Sequence, residues 1–273
     1  MIRLLVTADD FGASALRNNG ILAAWEKGIV TGASLLPQGE ATAEALEFAR
    51  GKGLPVGVHL NLSEGETISG PIGGLSDAQG RLPGKEDLRI ILATGDFDRV
   101  ALRRELQAQV AIIQQAGLDA THIDTHQHFF LFPSITDAVI ITARQSGINR
   151  LRLPMPMEEA TDDPAGLLGE ELALYRQLAP EAVRRLTTAG TIFPQGLWGM
   201  PLLNRLDETS LHRLIEKLPE GIWELMVHPG RYDPDDPFAG PEREQECQTL
   251  CSREIRRAIN ARGIELITYH QMS

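Results

Sequence analysis

The sequence predicts an α/β fold: one domain over residues 1–273, built as a single-domain distorted (β/α) barrel of about seven mainly parallel strands with loop insertions over one rim. Three observations carry this. Apolar runs of strand length alternate with helix-period segments through most of the chain. The turn after the first run reads "ADDFGAS", which lacks the glycine fingerprint that a dinucleotide-binding open sheet places there. No internal repeat and no long linker divides the 273 residues, 42% of which are hydrophobic, so a single core accounts for them.

The elements follow in order. The strand "IRLLVTA" leads to a helix from about Ala15 to Lys27, then to "IVTGASLLP" and the Ala/Glu-rich helix "EATAEALEFARGKG". Next come the strand "LPVGVHLNL", a Gly-rich loop from about Ser63 to Gly84 and an amphipathic helix from about Val100 to Ala116. The strand "ATHIDTH", a helix from about Pro133 to Ser146 and the strand "INRLRLP" complete the first half. "MPMEEATDDPAGLLGEE" and "IFPQGLWGMPLLN" are rich in Pro, Gly and Met and read as loops flanking a helix near Leu172 to Ala189. The alternation resumes with the helix "LDETSLHRLIEKLPEG", the strand "IWELMVHPG", an acidic loop "RYDPDDPFAGP", one long helix and the closing strand "GIELITYHQ".

Charge narrows the partners. With 37 acidic against 26 basic residues and a net charge of -11, the chain lacks the footprint expected for nucleic acid or an anionic membrane; a small neutral or cationic molecule suits it better. No apolar stretch approaches the roughly 20 residues of a membrane span, and "MIRLLVTADDFG" meets acid too early for a signal peptide. A cytoplasmic location is expected. Cys247 and Cys251, four apart in one expected helix, read as small core side chains in a reducing compartment rather than as a disulfide.

The polar residues cluster at strand ends. The first strand stops at Asp9 and Asp10; "PVGVHLNL" carries His59 with Asn61 beyond; "ATHID" runs into Asp124, His126 and His128; "IWELMV" ends at His228. In a parallel barrel every strand presents its C-terminal end to one rim, so these residues converge. A carboxylate with two imidazoles is a minimal set for a divalent cation with open positions. Of two adjacent aspartates, one can bind that cation while the other serves as general base to its water. Neighbours on an extended strand point apart, so the turn at Phe11–Gly12 has to bring both carboxylates to one place.

"TADDFG", "VGVHLNL", "THIDTHQHFFLFP" and "ELMVHPG", in this order over about 220 residues, resemble the YdjC-like carbohydrate deacetylases, the group that contains chitooligosaccharide deacetylase. The resemblance implies one divalent metal ion, Mg or Zn with Mn or Co as options, held by Asp10, His59 and His126. It also implies Asp9 as the base and His228 as the acid that protonates the leaving amine. An N-acetylated amino sugar or oligosaccharide is then the substrate, and a homodimer the assembly. His128 is expected in the wall of the site, although spacing alone allows it to exchange roles with His126. Asp124 is expected to orient a ligand imidazole, and Arg152 to bind substrate or hold Asp9 charged. The central run departs from the chitooligosaccharide enzyme's "DSHHHVH" in reading "DTHQHFF", which leaves the natural sugar open.

Other candidates have plainer readings. Phe129, Phe130 and Trp198 are either stacking surfaces for a sugar or core; His122 is expected to point away from the site, His212 to lie on a helix surface and His270 to reach the rim or not. A metal-dependent sugar isomerase or phosphoesterase on a similar barrel is the competing activity, though the strand ends supply no Lys. An iron oxygenase or a binding protein that has lost its chemistry fits less well.

Overall fold

The computed structural model describes residues 1–159, 166–234 and 239–272. The first strand, β1 (Ile2–Phe11), is buried almost throughout, as a strand covered on both faces must be. It runs into α1 (Ala15–Lys27), whose N-cap Ser14 accepts from Arg17 N, and then β2 (Gly32–Leu35), α2 (Thr42–Lys52) and β3 (Val56–Leu60) follow. After the Gly-rich loop come α3 (Lys85–Thr94), α4 (Arg99–Gln115), β4 (Ile123–Thr125), a 3-10 turn (His126–Leu131) and α5 (Pro133–Gln145). The second half holds α6 (Leu167–Ala189), β5 (Leu197–Trp198), α7 (Glu208–Lys217), β6 (Gly221–Val227), α8 (Pro241–Leu250), α9 (Arg253–Ala261) and β7 (Ile264–Leu266).

The strand order is β4-β3-β2-β1-β6-β5, with β7 against the first residues of β1, and all pairings are parallel. Isolated parallel bridges Ile123↔Leu151, Arg150↔Ile192 and Pro156↔Leu197 join the two ends of this path, so the sheet curls into a distorted barrel. Close approaches are bought with glycine at two places that matter for the site. A Cβ on Gly57 would sit 2.3 Å from the His122 ring inside the barrel, and one on Gly20 would sit 2.4 Å from the Cα of Gly230, where α1 packs on the loop after β6.

Several expectations change. "INRLRLP" forms isolated bridges in place of a strand, while the segment read as a loop, "IFPQGLWGMPLLN", supplies β5. Two residues are too few to show a period-2 pattern. The helix α3, flanked by Gly84 and Gly95, had not been separated from its surroundings. The long C-terminal helix is two, because Ser252 leaves the helical region and caps α9. Cys247 and Cys251 are free and pack their sulfurs against the carbonyls of Gly20 and Ala23 in α1, as small core groups do. Parts of "MPMEEATDDPAGLLGEE" and most of the acidic run "DPDDP" lie outside the described residues.

Candidate active site

The C-terminal end of β1 shows how two neighbouring carboxylates reach one place. Asp10 takes a left-handed backbone, φ 64, and the register of β1 against β2 slips between Ala8 and Phe11. That conformation costs an L-residue about 1–2 kcal/mol, but Asp is among the side chains that tolerate it best. The alternation of the strand is thereby broken, and Asp9 and Asp10 both line a cavity of about 880 Å³ together with His59, His126, His128 and His228. The size is that of a small-molecule site.

Within the cavity three ligand-type atoms form a triangle. Asp10 Oδ1 lies 3.5 Å from His59 Nε2 and 3.2 Å from His126 Nδ1, and the two imidazole nitrogens are 3.2 Å apart. Bonds of about 2.1 Å to one cation place their donor atoms roughly 3.0–3.4 Å from each other. Asp10 Oδ1 is buried and accepts no hydrogen bond, although two ring nitrogens face it. His59 Nδ1 is 2.9 Å from Asp124 Oδ1, which turns the Nε2 lone pair to the triangle. Ser34 Oγ donates to Asp124 Oδ2 at 2.8 Å and steadies that carboxylate. The donor set and its spacing fit a divalent cation.

Beneath the triangle, buried Arg152 joins three acids. Its guanidinium donates to Asp9 through two nitrogens, each at 2.7 Å, and also meets Asp124 Oδ2 at 2.5 Å and Glu224 Oε1 at 2.9 Å. Arg17, from the first turn of α1, meets the other oxygen of Asp10 at 2.9 Å. Asp9, Asp10, Asp124 and Glu224 thus outnumber the two guanidiniums that touch them. The same deficit shows in His126, whose pKa rises to about 10 because Asp10 and Glu64 outweigh the opposing effect of burial. Asp9, His59 and Asp124 also offer a ligand group, but the Arg152 charge already sits between its two carboxylates.

Burial pushes the Asp9 carboxyl up to about 6 against the pull of Arg152 and His59. His228 faces the cavity from the loop after β6, its backbone N–H donating to Glu246 Oε1 at 2.6 Å. Burial, with Arg243 and Arg17 nearby, holds its imidazole well below the usual His range, so the ring is neutral. Glu246 is pushed up to about 7 by its own burial.

The structure therefore gathers six of the sequence candidates around one cavity and sets Asp124 and Arg152 directly below. It separates His126 from His128. Gln127 and His128 are consecutive left-handed residues, φ 56 and φ 60, and this swings the His128 ring onto Tyr175, edge to face at 5.6 Å, away from Asp10. His122 does not point away: it stacks on Tyr269 inside the barrel and its Nε2 lies 3.0 Å from Ser34 Oγ, one layer below Asp124. His270 is exposed on the 3-10 turn at Tyr269–Gln271 and does not line the cavity. Phe129, Phe130 and Trp198 are buried core residues that do not line it either. Sequence reading missed Arg17, Glu64, Glu224 and Glu246. Arg17 alone carried a signal, one helical turn after a cap that follows Asp10 closely.

A parallel barrel that collects an acid, two imidazoles and a second acid at its C-terminal rim has, by fold and site together, the layout of an enzyme active site. More particularly, a family model described as YdjC-like protein matches residues 3–261, and the chain belongs to that family. Among its relatives are a carbohydrate deacetylase of Mus musculus, 32% identical over 97% of this chain and 93% of its own length, and a chitooligosaccharide deacetylase of Serratia marcescens, 30% identical over 98% of each. A crystal structure from Enterococcus faecalis V583, of a protein assigned provisionally to cellobiose-phosphate cleavage, covers 98% of both chains with a TM-score of 0.72. At 23% identity that likeness shows the shared fold.

Proposed function

We propose that this chain is a metal-dependent carbohydrate deacetylase, removing the N-acetyl group from an amino sugar or its oligosaccharide. The observation that carries the reading is the triangle of Asp10 Oδ1, His59 Nε2 and His126 Nδ1, with Asp9 beside it in the same cavity. These three residues would hold the cation, which would polarise the acetyl carbonyl and make hydroxide available near neutral pH. Two imidazoles with one carboxylate accept Zn or Mg, with Mn or Co as further options. Family relatives that are carbohydrate deacetylases support the choice of substrate class.

The chain's own residues then divide the work. Asp9 accepts a proton from the attacking water, and its carboxyl near 6 is matched to that task. Arg152 grips both Asp9 oxygens and leaves each a free lone-pair direction. Water oxygen bonds to the carbonyl carbon, the C–N bond breaks, and the proton taken from water passes to the departing amine. His228, neutral and facing the same cavity, donates a hydrogen bond to the carbonyl oxygen as charge develops there and relays the proton. A reducing cytoplasmic location and a homodimer complete the proposal; two free cysteines support the first.

Acetate release from N-acetylglucosamine oligosaccharides is the test. Purified protein should release acetate, lose that activity on chelation and regain it when Zn or Mn is added. Absence of release from every N-acetylated sugar, with metal supplied, would sink the proposal. A narrower result is expected for Asp9→Asn: kcat falls by about 10²–10⁴-fold while calorimetric zinc affinity stays close to that of the unaltered protein. Equal loss of metal and of rate would remove the division between Asp9 and Asp10.

A further inference from the structure

His59 and His126 face the triangle with opposite ring nitrogens, Nε2 from one and Nδ1 from the other. For each to offer a lone pair, each must keep its proton on the far nitrogen. Asp124 does this for His59 through Nδ1. The far nitrogen of His126, Nε2, is buried and makes no hydrogen bond in this structure, and the carboxylate oxygen set against it, at 3.3 Å, is Glu64 Oε1. Resting on the reading that these residues hold a cation, we propose that Glu64 is the positioning residue of His126, fixing the Nε2–H tautomer so that Nδ1 is free for the metal.

The surroundings are built to place Glu64 there. Asn61, two residues beyond His59, accepts from the backbone N–H groups of Ser63 and Glu64 through Oδ1, at 3.0 and 3.1 Å, and its Nδ2 donates to Glu64 O at 2.8 Å. Asn61 is itself pinned to α4: its N–H donates to Gln109 Oε1 at 2.8 Å and its carbonyl accepts from Gln109 Nε2 at 2.7 Å. The Glu64 carboxylate also accepts from Gln127 Nε2 at 2.9 Å, so it grips the left-handed turn that aims His126. Tyr175 completes the clamp, its hydroxyl 3.1 Å from the Gln127 carbonyl. One oxygen, Glu64 Oε1, thus accepts from Gln127 Nε2 and faces His126 Nε2, two neighbours on the same turn.

Zinc titration by calorimetry, paired with thermal melting of the metal-free protein, tests this on Glu64→Ala and Glu64→Gln. Loss of the carboxylate should weaken zinc binding by about 10- to 100-fold. The Gln variant, which keeps an acceptor oxygen, should recover most of the affinity. Melting of the metal-free protein should fall only slightly in both, because the Glu64 side chain is 51% exposed and the contacts it loses are few. In the zinc-loaded protein, imidazole nitrogen shifts should report Nδ1 coordination and an Nε2–H on His126. Unaltered affinity in Glu64→Ala, an equal loss in both variants, or Nε2 coordination would overturn the assignment while leaving the deacetylase reading intact. Failure of the unaltered protein to bind zinc would overturn both.

Discussion

Asp10→Asn is expected to lose zinc affinity by more than about 10²-fold, beyond the usual effect of a residue that only supports a ligand, and to release no acetate at ordinary metal concentrations. Asn keeps the left-handed backbone accessible, so the variant removes charge and donor strength without disturbing the bend that Asp10 makes at φ 64. It also leaves Arg17, 2.9 Å away, facing a neutral amide. Calorimetry and acetate release on the same preparation check it. Retained zinc binding with retained turnover would mean that the cation sits elsewhere in the cavity.

Arg152→Met is expected to have the largest effect on stability. The side chain is buried and joins Asp9, Asp124 and Glu224, so its removal takes from three buried acids the one cation they share. Breaking a buried ionic cluster by deleting one partner costs about 3–5 kcal/mol, enough to remove much of a typical domain's stability. The pH dependence has a definite sign. Asp9 is already raised to about 6 with Arg152 present, and without it the carboxyl rises further. A group whose folded pKa lies above its unfolded value favours the folded state when protonated, so the Asp9 contribution is fully present below the unfolded value of 3.8 and is lost as pH climbs through 6 and beyond. Urea unfolding at a series of pH values measures this. A loss below about 1 kcal/mol at neutral pH would show that water or rearranged side chains satisfy the acids.

Much of this was legible in the chain because chemistry and periodicity coincide at strand ends. β1, β3 and β6 are apolar runs that stop at Asp9–Asp10, His59 and His228, and parallel topology alone brings such ends together. What was hidden depends on backbone conformation or tertiary placement. His126 and His128 are equivalent by spacing; two consecutive left-handed residues set the first ring beside Asp10 and the second against Tyr175. The strand β5 is too short to register, and its neighbour "INRLRLP" pairs only through isolated bridges, yet that weak segment delivers Arg152 to the centre of the site. Glu64 sits in a Gly-rich loop whose path is set by hydrogen bonds to Gln109 and Glu105 on α4, a relation with no local signature. The neighbourhood of Asp10 was half visible: the expected turn at Gly12 is present, at φ 97 with its N–H held by Asn18 Oδ1 at 2.7 Å, but the bend starts two residues earlier on Asp10 itself.

Anomalous diffraction from crystals grown with zinc tests the central claim most directly, since it locates the ion without assuming an activity. The account predicts a single strong peak bounded by Asp10 Oδ1, His59 Nε2 and His126 Nδ1, with Asp9 still paired to Arg152. A peak on His128, or one between Asp9 and Asp124 with Arg152 displaced, would contradict it.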